Sequence, residues 1–239
     1  MTMRHYSDLF LKRLQEVTRV LLASGLLALL GSAPAVAEDF SAGQPYFSLS
    51  GMVAGADGAT ISSAGGTADP AFNFPDPLLQ TKIGFGVVGA FGWLTDSNWR
   101  MEIELGHRQV ALDQIGSPAS VPLSGDLGIT TGFVNVLRDF RGESFITPYA
   151  GIGIGGAYQT LDVGSINDAP PDFGVRDTFS LVYQAMLGVT FEVGESMDIL
   201  AGYRYMGAWQ PDYEAFALNR LDIHHFEMGV KFYVEDWFN

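Results

Sequence analysis

Residues 224–234 alternate between apolar and polar side chains, the pattern of an extended strand whose two faces meet different surroundings. A strand of about ten residues is long enough to cross a bilayer at a tilt. One face carries only apolar side chains, namely Phe226, Met228, Val230, Phe232 and Val234. The pattern therefore predicts a strand that turns this face toward lipid.

Seven earlier stretches alternate in the same way. In the third of them, apolar Met101 and Ile103 are interleaved with charged Arg100, Glu102 and Glu104. A single amphipathic run is weak evidence, but eight in succession predict an all-β protein, an eight-stranded antiparallel up-and-down transmembrane β-barrel. The predicted strands cover residues 46–53, 82–94, 99–110, 129–140, 145–158, 178–193, 197–206 and 224–234.

The connections between these stretches alternate between long and short. The long ones are 54–81, 111–128, 159–177 and 207–221, and the short ones are 95–98, 141–144 and 194–196. Barrels of the bacterial outer membrane have short periplasmic turns and long external loops. With an even number of strands, this rhythm places both termini in the periplasm and four loops outside.

The first 37 residues have the features of an export signal. Basic side chains precede an apolar run over 20–30, and small residues follow, with Ala35 and Ala37 at the expected cleavage site. A membrane anchor is the alternative, but the run is too short to span a bilayer. We therefore predict a cleaved signal peptide at 1–37 and a barrel domain at 38–239.

Composition narrows the possible functions. The formal net charge is −14, and removal of 1–37 takes away four basic and two acidic side chains, which leaves about −16. Such an acidic chain is not expected to bind nucleic acid. The chain has no cysteine, which excludes disulfides, thiol catalysis and thiolate metal sites.

A soluble ligand-binding barrel is the main competing fold. It also has eight antiparallel strands, but its apolar side chains point inward and its charges outward. Here the apolar face is broad and aromatic, and charges on a lipid face cost about 2–4 kcal/mol each at the bilayer midplane. The charged face must therefore line the lumen.

Ten charged residues are predicted to form a network in this lumen. They are Arg100, Glu102, Glu104, Arg108, Asp139, Glu192, Asp198, Arg204, Glu227 and Lys231. One interpretation is a charged constriction that selects ions. The other, which we favour, is a salt-bridged plug, because an eight-stranded barrel is only wide enough for side chains to fill it.

Four segments in this order resemble the small outer-membrane β-barrels of Gram-negative bacteria. The segments are 100–106, 147–153, 183–189 and 202–205. The resemblance is to porin-family and surface-antigen barrels, relatives of the opacity proteins and of the OmpA transmembrane domain. The last strand also resembles the C-terminal assembly signal of such barrels, carried by Glu227, Gly229, Phe232 and Val234.

The resemblance implies a structural or surface-interaction role of the adhesin or antigen type and no enzymatic activity. A narrow channel for ions or small solutes is the alternative, and a lipid-modifying enzyme is a third. Neither His107 nor His225 has a serine nearby at a spacing that would face it, so no catalytic triad is predicted.

No cofactor is predicted. The expected partners are outer-membrane lipid and lipopolysaccharide, the barrel-assembly machinery, periplasmic chaperones and external ligands of the loops. Asp222 and His224 could share a face near the external rim, which is weak support for a metal site. Gly151, Gly153 and Gly156 match a dinucleotide-binding pattern, but no helical pattern follows them, so we interpret them as space-making lumen glycines.

Overall fold

The computed structural model describes residues 43–56, 59–62, 78–115, 121–166, 176–209, 217–218 and 220–234. The chain divides into two compact units, Met1–Ala42 and Gly43–Asn239, and every described residue belongs to the second. The predicted signal peptide at 1–37, with Ala35 and Ala37, lies outside the described residues.

Eight long antiparallel strands form the described structure. They are β1 (Gln44–Ala56), β2 (Gly84–Leu94), β3 (Trp99–Ile115), β4 (Val121–Asp139), β5 (Ile146–Ile166), β6 (Arg176–Glu192), β7 (Met197–Trp209) and β8 (Arg220–Tyr233). Each of these strands pairs with the next one in the chain. The last strand, β8, pairs with β1 and closes the ring. The predicted eight-stranded antiparallel barrel is confirmed.

The seam between β1 and β8 is paired along its whole length. The register runs from Tyr46 opposite Tyr233 to Ala56 opposite Ile223 without a bulge. A closed ring leaves no sheet edge with unpaired backbone groups, which is the condition for a β-structure to persist in lipid.

No helix in the described ranges is long and apolar enough to cross a membrane.

Side chains alternate between the lumen and the outer wall along every strand. Ile152 and Ile154 of β5 are 70% and 71% exposed, whereas Arg100 and Glu104 of β3 are 3% and 1% exposed. A water-soluble protein does not expose aliphatic side chains and bury charged ones in this way. The outer wall is apolar and the charged face points inward, as the alternation predicts.

At the end of the barrel that carries the long connections, the strands are longer than predicted. Residues 111–115 and 121–128 were expected in a loop but belong to β3 and β4, and β5 continues to Ile166. The apolar alternation ends where outward-facing side chains become polar, as at Asp113, Asp126 and Asp162, but the hydrogen-bond ladder between two strands already held side by side can continue beyond that point.

Three short strands continue the wall of the barrel at the same end. They are Ala59–Ser62, Leu78–Thr81 and Ala217–Leu218. Leu79 lies opposite Ile115 of β3, Ala59 opposite Leu79, and Ala217 opposite Ser62. The cylinder is therefore extended beyond its apolar outer band by segments that the sequence pattern assigns to loops.

The short connections are tight turns. In the turn after β2, the Asn98 amide donates to the Thr95 carbonyl at 3.0 Å and the Thr95 amide to the Trp99 carbonyl at 2.8 Å. Asn98 has φ of 63°, a left-handed conformation that asparagine tolerates better than most residues.

Candidate functional site

The candidate site is a layer of buried charges that crosses the lumen. Nine charged side chains point inward and are at most 7% exposed; we call them the charged belt. They are Arg100, Glu102, Glu104, Arg108, Asp139, Asp198, Arg204, Glu227 and Lys231. Alternation places them, because in β3 the residues with even numbers face the lumen.

Arg100 is the centre of the first cluster in the belt. Its Nε donates to Asp139 Oδ1 at 2.8 Å and its Nη1 to Glu102 Oε1 at 3.1 Å. The Tyr46 hydroxyl donates to the same Glu102 oxygen at 2.5 Å, and the guanidinium lies 4.8 Å from the centre of the Tyr149 ring. One arginine therefore connects strands β1, β3, β4 and β5.

Arg204 is the centre of a second cluster. Its Nη1 donates to Glu104 Oε2 at 2.5 Å, and its Nε lies 2.9 Å from Glu227 Oε1. Asn135 Nδ2 donates to Glu104 Oε2 at 2.7 Å, and Gln184 Nε2 donates to Asn135 Oδ1 at 2.7 Å. The ion pair between Arg204 and Glu104 joins β7 to β3 across the lumen and therefore connects two strands that are not adjacent in the barrel.

Lys231 and Asp198 form a third cluster near the short-turn end. Lys231 Nζ lies 3.0 Å from Asp198 Oδ2, and the Tyr233 hydroxyl donates to the same oxygen at 2.8 Å. The ammonium also lies 5.5 Å and 5.0 Å from the centres of the Tyr46 and Tyr233 rings. Aromatic faces and a carboxylate together offset the loss of water around the lysine.

Arg108 is the exception in the belt. Among the residues that the structure describes, no carboxylate forms an ion pair with it. Its Nη1 lies 2.6 Å from His225 Nε2 and its Nη2 donates to Thr131 Oγ1 at 3.1 Å. Because a guanidinium has no acceptor, His225 Nε2 accepts, and the imidazole is the neutral tautomer with its proton on Nδ1.

His225 was not predicted as a lumen residue of this network. It is 1% exposed, and its inward direction follows from the alternation in β8. Nothing in the local pattern predicts its contact with Arg108, which is 117 positions away in the chain.

Glu192 is a correction to the predicted lumen network. It ends β6 at the short-turn end, and its side chain is 44% exposed and 3.9 Å from Arg141 Nη1. The alternation directs its side chain toward the lumen, but at the rim of the barrel the lumen is open to solvent. The other nine predicted residues lie together in the belt.

The sequence pattern suggested a lumen that is polar throughout, but the interior also contains apolar side chains. On the long-connection side of the belt, apolar side chains of several strands fill the lumen, and all of them are at most 4% exposed: Val110, Leu112, Leu127, Ile129, Leu161, Val182 and Ile223. Leu137, Tyr149 and Met186 form a buried apolar cluster within the belt, since Leu137 lies opposite Arg100 and Met186 opposite Arg204 in the strand registers. An apolar layer therefore covers the belt on its long-connection side.

Inward glycines make room for the large lumen side chains. A methyl group at Gly188 would lie 2.6 Å from Tyr149 Cζ, and one at Gly92 would lie 2.6 Å from Tyr46 Cζ. The glycines of the dinucleotide-like pattern lie inside β5, and strand rather than helix follows them. Gly151 and Gly153 face Leu137 and Asn135 in the lumen, whereas Gly156 faces outward beneath the Phe179 ring.

Asp222 and His224 share the outer wall of β8, where each meets a tyrosine of β7. The Tyr205 hydroxyl donates to Asp222 Oδ1 at 2.6 Å, and the Tyr203 hydroxyl lies 2.5 Å from His224 Nδ1. No group of three metal-ligating side chains occurs within the described part of the chain. These contacts give the two residues a place in an aromatic patch, and the weak metal hypothesis receives no support from them.

The residues of the predicted assembly signal all lie at the closing seam or beside it. Gly229 approaches β1 so closely that a methyl group on it would lie 2.7 Å from the Ser50 Cα. Glu227 points into the belt, and Phe232 is 47% exposed on the outer wall. Recognition of Glu227, Gly229, Phe232 and Val234 as a signal stays a prediction.

Comparison with known proteins places the chain in a family. A family model described as an outer membrane protein beta-barrel domain matches residues 23–232. The outer membrane protein PagN of Salmonella typhimurium is 31% identical over 98 residues, which are 39% of this chain and 40% of PagN. An uncharacterized protein of Brucella suis is 22% identical over 160 residues, 58% of this chain and 56% of that protein. The chain thus spans about half the length, or less, of these relatives.

Among solved structures, Neisserial surface protein A is similar with a TM-score of 0.50 and 18% identity, over 79% of this chain and 97% of that one. At this level of identity the likeness concerns the fold alone.

The prediction that the chain is not an enzyme does not stand. The outer membrane protease OmpT from Escherichia coli is also among the similar structures, with 7% identity and a TM-score of 0.47 over 80% of this chain and 97% of that one.

Proposed function

We propose, from the premise that the chain belongs to the family of outer membrane protein beta-barrel domains, that it is a sealed barrel with a structural or surface-interaction role. In this role the membrane-embedded part is a rigid support, and the end with the long connections meets partners outside the cell as an adhesin or antigen does.

The observation that carries this proposal is the charged belt. The ion pair from Arg204 to Glu104 crosses the lumen at 2.5 Å, and the pair from Arg100 to Asp139 joins neighbouring strands at 2.8 Å. Every belt residue is almost fully buried, and apolar side chains fill the lumen on the long-connection side of the belt. An eight-stranded barrel has room for its own side chains but little besides. These features support a plug rather than a conducting pore.

Efflux from vesicles tests the sealed lumen. Liposomes that are loaded with a small sugar and contain the full-length protein should release the sugar no faster than loaded liposomes without protein. Release that rises in proportion to the protein content would favour the competing function, a narrow channel for ions or small solutes.

The proposed orientation puts the short turns and both termini in the periplasm. Short turns face the periplasm in barrels of this kind. At the opposite end the wall is extended by the three short strands, and its outer side exposes Asp113, Asp126 and Asp162. A long, acidic, solvated rim of this kind suits the outside of the cell.

Single cysteines can test this orientation, because the natural chain has none. In intact cells, a membrane-impermeant maleimide should label Asp162→Cys on the extended wall but not Asp96→Cys in the turn after β2. Both positions are solvent-exposed, so Asp96→Cys should be labelled once the outer membrane is permeabilised. The reverse pattern would refute the orientation.

We also propose that outer-membrane lipid and lipopolysaccharide pack on the outer wall. The patch formed by Tyr203, Tyr205, Asp222 and His224 combines rings with hydrogen-bonded polar groups, as side chains do where headgroups meet the apolar band. Insertion by the barrel-assembly machinery through the closing strand, after transit with periplasmic chaperones, completes the proposed set of partners.

A further inference from the structure

A polar recess of about 220 Å³ opens at the short-turn end of the barrel. It lies between the start of β1, the turns that follow β4 and β6, and the facing residues of β7 and β8. Its walls include Gln44, Arg141, Glu192, Glu195, Asp198 and Tyr233. Its floor is the Asp198–Lys231 end of the charged belt, and the proposed surface role does not use the recess.

The floor of the recess is already neutralised. Asp198 is bound by Lys231 at 3.0 Å and by the Tyr233 hydroxyl at 2.8 Å. Its negative charge is therefore compensated inside the protein. Asp198 forms a fixed, hydrogen-bonded floor of the recess and adds no uncompensated charge to it.

The walls of the recess carry charges that are only loosely engaged. Arg141 Nη1 lies 3.9 Å from Glu192 Oε1, and its Nη2 lies 3.4 Å from the Tyr233 hydroxyl. Glu195 is exposed on the opposite turn. One guanidinium and two glutamates thus face the same small space, with a net charge of one minus two, or −1.

We propose that this recess binds an α-amino acid head group, with its ammonium between the glutamates and its carboxylate on Arg141. A simple anion would be repelled by the two glutamates, and a simple cation would leave the guanidinium without a full partner. The zwitterion matches both signs. A metal ion fits less well, since the described residues contain no set of three ligating side chains.

The size of the recess agrees with this ligand. The recess measures about 220 Å³ and is open to solvent on one side. This is enough for an amino acid head group and a short side chain. In the proposed orientation the recess faces the periplasm, where the ligand can be a free amino acid or a head group carried by a peptide.

Three small probes of similar size separate the two charges of the ligand: alanine, ethylamine and propionate. Calorimetric or NMR titration of the refolded full-length barrel in detergent micelles should show alanine binding about tenfold more tightly than either of the others. Equal affinity for all three, or no binding of alanine, would overturn the proposal.

Variants of the recess then assign the two halves of the site. Arg141→Gln should abolish the preference for alanine over ethylamine, and Glu195→Gln the preference for alanine over propionate. Glu143→Gln is the matched control, because this exposed glutamate lies on the same turn as Arg141 but does not line the recess. Unchanged preferences in both recess variants would refute the assignment.

Both substitutions lie in exposed turns, and slower gel migration after boiling verifies that each variant has folded. Because micelles leave both ends of the barrel accessible, the titration is independent of the sealed lumen and of the orientation. To identify the source of the ligand, free alanine is compared with a peptide that carries an α-amino acid head group on one side chain. Tighter binding of alanine indicates a free amino acid, and tighter binding of the peptide indicates a head group carried by a peptide.

Discussion

Each arginine at the centre of a belt cluster is bound by more than one buried carboxylate or neutral acceptor. Arg204 holds Glu104 and Glu227, and Arg100 holds Glu102 and Asp139. Removing one partner from a buried pair leaves a charge in a medium of low dielectric constant, which costs about 3–5 kcal/mol. Individual belt residues should therefore affect folding strongly, even though an apolar replacement of the whole network would not.

Glu104→Ala should lower the free energy of unfolding by about 3–5 kcal/mol, because Arg204 loses one carboxylate and Asn135 loses its acceptor. Denaturant unfolding in lipid vesicles measures this change. Glu143→Ala, an exposed residue on a turn, should change stability little. A large gain in conductance without loss of stability would contradict the plug.

Gly188→Ala tests the close packing of a lumen tyrosine on glycine. The new methyl group would lie 2.5 Å from the Ala201 carbonyl oxygen and 2.6 Å from Tyr149 Cζ, and overpacking of this kind costs about 1–3 kcal/mol. The matched control is Gly51→Ala, where nothing lies within 4 Å on the outer wall. Equal stability of the two variants in the same unfolding assay would show that Tyr149 is not held as described.

At this scale, alternation was sufficient to predict which side chains point inward. It predicted the belt residues from Arg100 to Lys231, because parity along a strand is a local property. It missed the Arg108 to His225 contact and misplaced Glu192, since these depend on which residues face each other across the lumen and on where the barrel ends.

At the scale of elements, the seam between β1 and β8 is the feature on which closure depends. The two strands are the most distant in the sequence, so their pairing has the largest loop-closure entropy of the eight strand pairings. Gly229 allows β8 to approach β1 closely, which gives the glycine a physical role in closure.

A cross-link tests the seam directly. Leu49 lies opposite Val230 on the outer wall, and opposite side chains on paired strands are within reach of a disulfide. Leu49→Cys with Val230→Cys should form an intramolecular disulfide on oxidation of the folded protein, seen as altered gel mobility that a reductant reverses.

The control for the cross-link pairs Leu49→Cys with Ile152→Cys on β5, which is not a neighbour of β1. It should remain reduced in the folded barrel. If both pairs cross-linked equally, or neither did, the register of the closing strands would be wrong.

Element boundaries were predictable at one end of the barrel and not at the other. At the short turns the predicted and observed strand ends agree closely, for example at Leu94, Trp99 and Met197, because a tight turn breaks the alternation abruptly. At the long connections the alternation of apolar residues stops at the edge of the lipid band, while the backbone ladder of β3 to β5 continues.

At the scale of the whole molecule, the barrel is a cylinder filled in layers. The charged belt begins at the Asp198–Lys231 pair near the short turns and includes the apolar Leu137 cluster, and an apolar layer follows it along the axis. The sequence predicted the belt but not the upper apolar layer, since Val110 and Ile129 lie where the pattern was assigned to a loop or to its edge. The layered filling is the physical basis of the proposed sealed state.

Single-channel recording in planar lipid bilayers tests this sealed state most directly. The wild-type barrel should give no discrete conductance steps above the bare membrane, at either polarity, once insertion has been verified by gel mobility before and after boiling. Reproducible, ion-selective openings of the folded wild-type protein would show that the charged belt is a constriction through which ions pass and not a plug.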